Sequence, residues 1–148
     1  MVIIIEDIRL KCHSKLMQLS WQVKKRSRKN LCSLGFTWNQ YSVLKNICPG
    51  ESITLSQLSC RTSRDSSNIT ALVDLLEERG LVRRIPDKCD RRVIRVELTE
   101  DGELVREDVI AKHEAFIKSI FADIDDEYIY DFMKLLDIMS DGLDLSTE

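Results

Sequence analysis

Apolar residues recur at helical spacing toward both ends of this chain and at strand spacing in one stretch of its middle. Ile8, Cys12, Leu16, Leu19 and Val23 lie three or four positions apart and predict a helix over residues 6–29. Gly35-Phe36-Thr37 breaks it, and Thr37 is placed to N-cap a second helix whose apolar positions are Trp38, Tyr41, Val43, Leu44 and Ile47, ending at Pro49-Gly50. An extended piece, Ser52-Ile53-Thr54, leads to a short helix over 56–60, a turn at Thr62-Ser63-Arg64-Asp65, and a helix over 66–79. Gly80 closes that helix as a C′ glycine, and 81–85 and 93–98 read as two strands joined by a long polar loop. In the second strand Ile94, Val96 and Leu98 alternate with Val93, Arg95 and Glu97, giving one core face and one wet face.

Thr99 caps the next helix, over 100–121, with Glu100, Asp101 and Glu103 in a first turn where the helix dipole favours acids. Val105, Val109, His113, Phe116 and Ile120 form its stripe. Asp125 is placed to cap a last helix to about Asp141, with Ile129, Phe132, Met133, Leu136 and Met139 on one face. The fold class is therefore mainly α with a small β-hairpin: a winged helix-turn-helix lobe at 35–99, whose own core it supplies, flanked by long helices at 1–34 and 100–148. The simplest burial for the stripes of those outer helices is a second copy of the chain about a two-fold axis.

Composition narrows the function classes. The chain has 148 residues, 43% hydrophobic and 32% charged, and a net charge of −3. That charge is unevenly spread: residues 1–60 carry nine Lys/Arg against three Asp/Glu, 61–95 nine against six, and 96–148 four against sixteen. A positive first two-thirds and an acidic end fit a phosphate-facing surface with a remote acidic region. Met1-Val2-Ile3-Ile4-Ile5 has no basic segment before it and acids directly after it, so no signal peptide or membrane span is expected and the cytoplasm is the expected compartment. Five cysteines without a C-x-x-C pair read as reduced thiols, and two histidines a hundred positions apart give no zinc spacing. No nucleophile motif, phosphate loop or paired acids stand in a recognisable context, so neither an enzyme nor a cofactor is expected.

In the 66–79 helix, Ile69, Leu72, Val73 and Leu76 share one arc, while Ser67, Ala71 and Asp74, flanked by Asn68 and Thr70, occupy the other. Small polar side chains let a helix lie close to base edges, where Asn can bond adenine and Ala or Thr can meet a thymine methyl. Asp74 opposes phosphate, so only the first two turns are expected to enter a groove. The loop between the strands carries Lys88, Arg91 and Arg92, and an arginine on a projecting hairpin suits a narrow minor groove. Asp90 beside them is expected to orient a guanidinium. A second reading stays open on the residues alone, a winged-helix module for protein interaction without specific DNA binding.

Gly35 to Leu44, Leu55 to Ser59, Asn68 to Val82, and Asp90-Arg91-Arg92 followed by Val96-Glu97-Leu98-Thr99-Glu100-Asp101-Gly102 together resemble the MarR family of transcriptional regulators. The resemblance implies a homodimer, usually a repressor, on a pseudo-palindromic double-stranded DNA operator with half-sites about one helical turn apart. It places base contacts at Ser66, Ser67, Asn68 and Thr70, further contacts at Arg64 and Lys88, minor-groove entry at Arg91 or Arg92, and wing support at Asp90. It also implies control by a small aromatic or phenolic anion, for which Lys11, His13, Trp21, Trp38 and Tyr41 supply aromatic walls and positive groups, or by thiol oxidation. For the latter Cys12 lies in the region of the reactive cysteine of one branch, although its place on the apolar stripe favours a buried thiol. Cys89 is expected to be exposed in the wing.

Overall fold

Three threonines start three of the helices. The computed structural model describes residues 7–63, 66–90 and 92–144, apart from the side chains of Ser66 and Asp144. Its elements run α1 (Ile8–Ser33), α2 (Trp38–Lys45), β1 (Ile53–Thr54), α3 (Leu55–Thr62), α4 (Ser66–Glu78), β2 (Val82–Pro86), β3 (Ile94–Leu98), α5 (Glu100–Ile120) and α6 (Asp126–Asp144). Thr37 and Thr54 each form a reciprocal capping box, with Gln40 and Gln57, so two of the orphan amides at each helix start are satisfied. Thr99 Oγ1 accepts from Gly102 N at 2.9 Å and donates to Gly80 O at 2.6 Å, tying the start of α5 to the end of α4.

Several boundaries differ from the pattern reading. α1 continues past Lys29 to Ser33, because Leu31 and Leu34 still face the core and the stop is Gly35, at φ +81°. α2 ends at Lys45, with the Asn46 side chain donating to Ser42 O at 2.7 Å. α3 starts at Leu55 and runs to Thr62, where Ser63 turns the chain at φ +51°. The hairpin is part of a three-stranded antiparallel sheet, order β1-β3-β2, because Ile53 and Thr54 pair with Val96 and Arg95. Gly80, at φ +70°, ends α4 as expected, and Leu81 N reaches back to Leu76 O.

The chain forms two compact units, residues 1–116 and 117–148. In the first, Ile47, Ile53, Leu58, Ile69, Val73, Leu76 and Val96 are fully buried, and Leu31 from α1 and Val109 from α5 belong to the same core. The middle of the chain thus does not supply its core alone. β3 also departs from strict alternation: Val96 and Leu98 are buried, but Ile94 at the wing end is 37% exposed, and Arg95 on the nominally wet face is half-buried. In the second unit, a groove of about 590 Å³ is lined by Ile117, Phe121, Ile129, Phe132, Met133 and Leu136 among others. Tyr128, Leu135, Met139 and Leu143 of α6 are exposed in the single chain, as are Ile8, Leu10 and Trp21 of α1.

Candidate nucleic-acid interface

α4 presents the polar arc its sequence requires. Ile69, Val73 and Leu76 are wholly buried and Leu72 partly so, while Ser67, Asn68, Thr70, Ala71 and Asp74 are exposed. Arg84 of β2 lies across this helix. Its guanidinium donates to Asp74 Oδ1 at 2.6 Å, to Thr70 O at 3.3 Å and to Glu77, and its amide donates to Glu77 Oε1 at 3.1 Å. Asp74 therefore does not stand bare before a phosphate: an arginine compensates its charge, and the same arginine fixes α4 to the sheet. Arg64, the side chain of Ser66 and Arg91 lie outside the described residues.

Two carboxylates, Asp90 and Asp87, shape the wing among the described residues. Asp90 Oδ1 accepts the backbone N–H of Arg92 at 2.9 Å and so shapes the turn. Among the described residues a guanidinium is taken by Asp87, which accepts Arg95 Nε on one oxygen and the N–H groups of Cys89 (2.8 Å) and Asp90 (3.0 Å) on the other. Asp87 N to Val93 O, 3.0 Å, closes the neck. Lys88 and Arg92 are exposed at the tip.

With this geometry, a cationic hairpin beside a polar-faced helix, the comparisons are specific. A model of the MarR family matches residues 36–94. The HTH-type transcriptional regulator YsmB of Bacillus subtilis, itself uncharacterised, is 31% identical over 114 residues, which cover 77% of this chain and 78% of that protein. The chain belongs to the MarR family. Among solved structures, a MarR-family transcriptional regulator of Rhodococcus sp. RHA1 superposes with a TM-score of 0.71 at 30% identity, covering 88% of this chain and 93% of that one. FabT of Streptococcus pneumoniae, solved in complex with DNA, shares the fold at a TM-score of 0.76 and 22% identity, over 92% of this chain and 97% of that one. As a MarR-family protein the chain is a transcriptional regulator with a winged helix-turn-helix lobe.

The residues expected to line an effector pocket of this MarR protein do not gather in one chain. Trp38 and Tyr41 do meet, at 6.1 Å between ring centroids, but their companions are His113, 5.0 Å from Tyr41, and Phe116, stacked on His113 at 5.8 Å. His113 Nδ1 donates to Asn30 Oδ1 at 2.8 Å, since that oxygen can only accept. Burial first, then the nearby Lys45, holds the His113 pKa below its usual 6.5, against an opposing pull from Glu114. Burial, with Glu114 behind it, raises the Tyr41 hydroxyl above its ordinary value. Lys11 and His13 are exposed on α1 and lie 19 and 17 residues from Asn30, roughly 25–29 Å along the helix axis. Trp21 is 61% exposed and carries Lys25 Nζ 4.8 Å from its ring centre. An open cavity of about 330 Å³ does lie beside the aromatic cluster, lined by Arg26, Lys29, Asn30, Ser33 and Phe116. Cys89 is exposed as expected; Cys12 is also exposed in the single chain, where its position on the stripe had suggested burial.

Pattern reading missed Arg84, Asp87 and Arg95, each defined by a partner that only the folded register supplies. It also missed Arg61, which grips Glu51 with two nitrogens, at 2.7 and 2.5 Å, and donates to Asn46 O at 3.1 Å. The Arg61 guanidinium pulls Glu51 from its usual 4.5 to about 2. Arg95, then the amides of Cys89 and Asp90, pull Asp87 from 3.8 to about 2. Both pKa values are lower in the folded chain than in the unfolded one, so both contributions are complete above about pH 4.5 and are lost as pH falls toward 2. Urea midpoints should drop over that window, and in Arg61→Gln and Arg95→Gln the drop should be shallower. Urea is the denaturant of choice because guanidinium would screen the pairs under test. An acid limb unchanged in both variants would remove these pairs from the stability of the lobe.

Proposed function

We propose that this MarR-family regulator acts as a homodimeric repressor that reads a pseudo-palindromic operator with α4 in the major groove and the wing arginines in the adjacent minor groove. The observation that carries the reading is the exposed arc of Ser67, Asn68, Thr70 and Ala71, small and polar opposite the buried Ile69, Val73 and Leu76, with the charge of Asp74 beyond it compensated by Arg84. FabT, of the same fold, was solved on DNA, which supports the same use here. In this proposal residues 35–99 bind DNA, and 1–34 with 100–148 pair two chains, covering the apolar side chains exposed on α1 and α6. The acids are concentrated in residues 96–148 and leave residues 1–95 net positive, which suits a chain of net charge −3 on a polyanion. The cytoplasm, where operators are, is the compartment we infer.

We also propose that binding is tuned by a small aromatic anion or by cysteine oxidation. Arg26 and Lys29 on the rim of the 330 Å³ cavity and the Phe116 ring in its wall suit such an anion. All five thiols are exposed, and of these Cys12 and Cys89 are the two at which we propose an oxidant would act.

The test is selection of duplexes by the purified protein, followed by affinity measurements across salt concentrations, with sedimentation of the free protein. A two-chain mass and specific binding that weakens steeply with salt are expected. Absence of binding to any duplex at low salt would leave the protein-interaction module in its place. Within the selected site, Asn68→Ala should relax the preference at one base pair per half-site by about 1–3 kcal/mol. Equal loss on all sequences would instead make Asn68 a phosphate contact. Titration of the complex with salicylate-like anions, and separately with peroxide, distinguishes the two controls.

A further inference from the structure

Arg95 joins three elements without reaching toward the tip of the wing. It lies on the central strand β3, paired across from Ile85 of β2 on one side and Thr54 of β1 on the other. Its Nε donates to Asp87 at the base of the wing, and its Nη1 donates to Ser52 O at 2.9 Å, just before β1. Asp87 uses its other oxygen on the amides of Cys89 and Asp90, so the guanidinium is tied directly to the backbone of the turn that carries the tip. Ser52 follows Glu51, which Arg61 clamps from the last full turn of α3, immediately before the turn into α4. The short loop 46–52 therefore anchors both the base of the wing and the end of the helix that precedes the reading helix.

We propose that Arg95 is a positioning residue for operator binding: acting through Asp87 and Ser52, it fixes the angle of the wing to α4 so that one lobe engages both grooves together. This rests on the wing entering a groove, as proposed above. A planar fork suits the task, because one guanidinium holds two acceptors on different elements in a fixed relation, which an ammonium on a flexible stem cannot do. Partial burial of both side chains, with Arg95 33% and Asp87 12% exposed, lessens the screening that weakens surface ion pairs. Without it the hairpin keeps its neck bond from Asp87 N to Val93 O, but the turn is no longer tied to the sheet.

The experiment measures affinity for a duplex selected by the wild-type protein, at several salt concentrations, for Arg95→Met, Asp87→Asn, Arg91→Ala with Arg92→Ala, and Arg95→Met combined with that double alanine. Arg95→Met and Asp87→Asn should each weaken binding about tenfold, the size of one lost charge-assisted hydrogen bond. Two variants guard against one misfolding. Arg95→Met should cost nothing further once the wing arginines are gone, and in that background it should leave the salt slope unchanged, since Arg95 itself is proposed to touch no phosphate. A slope shallower by about one per chain in the combined variant than in the double alanine alone makes Arg95 a phosphate contact and overturns the proposal. An undiminished cost in the double-alanine background, or wild-type affinity in both Arg95→Met and Asp87→Asn, also overturns it while leaving the wing reading intact. Wild-type affinity of the double alanine itself removes the wing reading and the proposal together.

Discussion

Replacing Gly102 by alanine is expected to destabilise the protein by about 1–3 kcal/mol, although it adds a single methyl group to a helix. Gly102 is in the first turn of α5, packed against the backbone of Leu81, where α4 has just ended. A Cβ built there would lie 1.8 Å from Leu81 O, 2.8 Å from Leu81 C and 3.2 Å from Leu81 Cα. These are backbone atoms, and no rotamer change relieves the contact. Nor can Leu81 move alone: its carbonyl accepts Thr99 N at 3.1 Å, and its amide donates to Leu76 O at 3.0 Å. Displacing α5 instead would break both bonds of the Thr99 hydroxyl, the cap of α5 and the link to Gly80. Overpacking of about 1–3 kcal/mol and loss of a cap worth about 1 kcal/mol then add, and the usual gain from Gly→Ala in a helix, about 1 kcal/mol, does not offset them. Urea denaturation followed by circular dichroism measures this directly. A variant with the wild-type midpoint would show that α5 can slide along the end of α4, and that the junction is loose.

That junction was half legible in the sequence. Thr99 and Gly80 declare themselves by local rules, a capping hydroxyl before an acidic turn and a glycine after a helical run, and both work as read. Thr37 did likewise, and Thr54 with Gln57 carries the same T-x-x-Q signature, although an extended reading of 52–54 hid it and delayed the start of α3. β1 escaped as a sheet member because two residues cannot show alternation. The end of α1 was misplaced because five cations at 24–29 look like a helix terminus, whereas Leu31 and Leu34 are required by the core.

Side-chain partnerships were less legible than the elements. The carboxylate next to the wing arginines, Asp90, was legible from its place in sequence, whereas Asp87 finds its partner only across the hairpin. Asp87 meets Arg95 because the β2–β3 register sets Pro86 opposite Ile94, and that register depends on loop length and packing. Asn30 and His113 are 83 positions apart, so their bond and the aromatic cluster around it have no local signature. The polar arc of α4 was readable because it needs only the helical period. Its compensation by Arg84 was not, because that needs the strand.

Changing Arg91 and Arg92 together to alanine is expected to weaken operator binding roughly a hundredfold or more while leaving the two-chain mass unchanged. The neck bond from Asp87 N to Val93 O and the Asp90 carboxylate on Arg92 N shape the turn through the backbone, so removing the guanidinium groups spares these contacts. The Asp87–Arg95 pair also stays in place. The substitution is thus a test of charge and reach at the tip, and thermal stability should scarcely change. In a homodimer it removes four guanidinium groups, and a modest loss of about 1.4 kcal/mol per wing already multiplies to a hundredfold. The slope of affinity against salt should fall by about 0.9 for each phosphate contact removed, and most strongly on sites with A·T-rich flanks, where a narrow minor groove attracts arginine. Equal affinity for wild type and variant across salt would mean that α4 alone holds the operator. A loss confined to the slope, with flank preference intact, would place these arginines on phosphates beside the groove instead of within it.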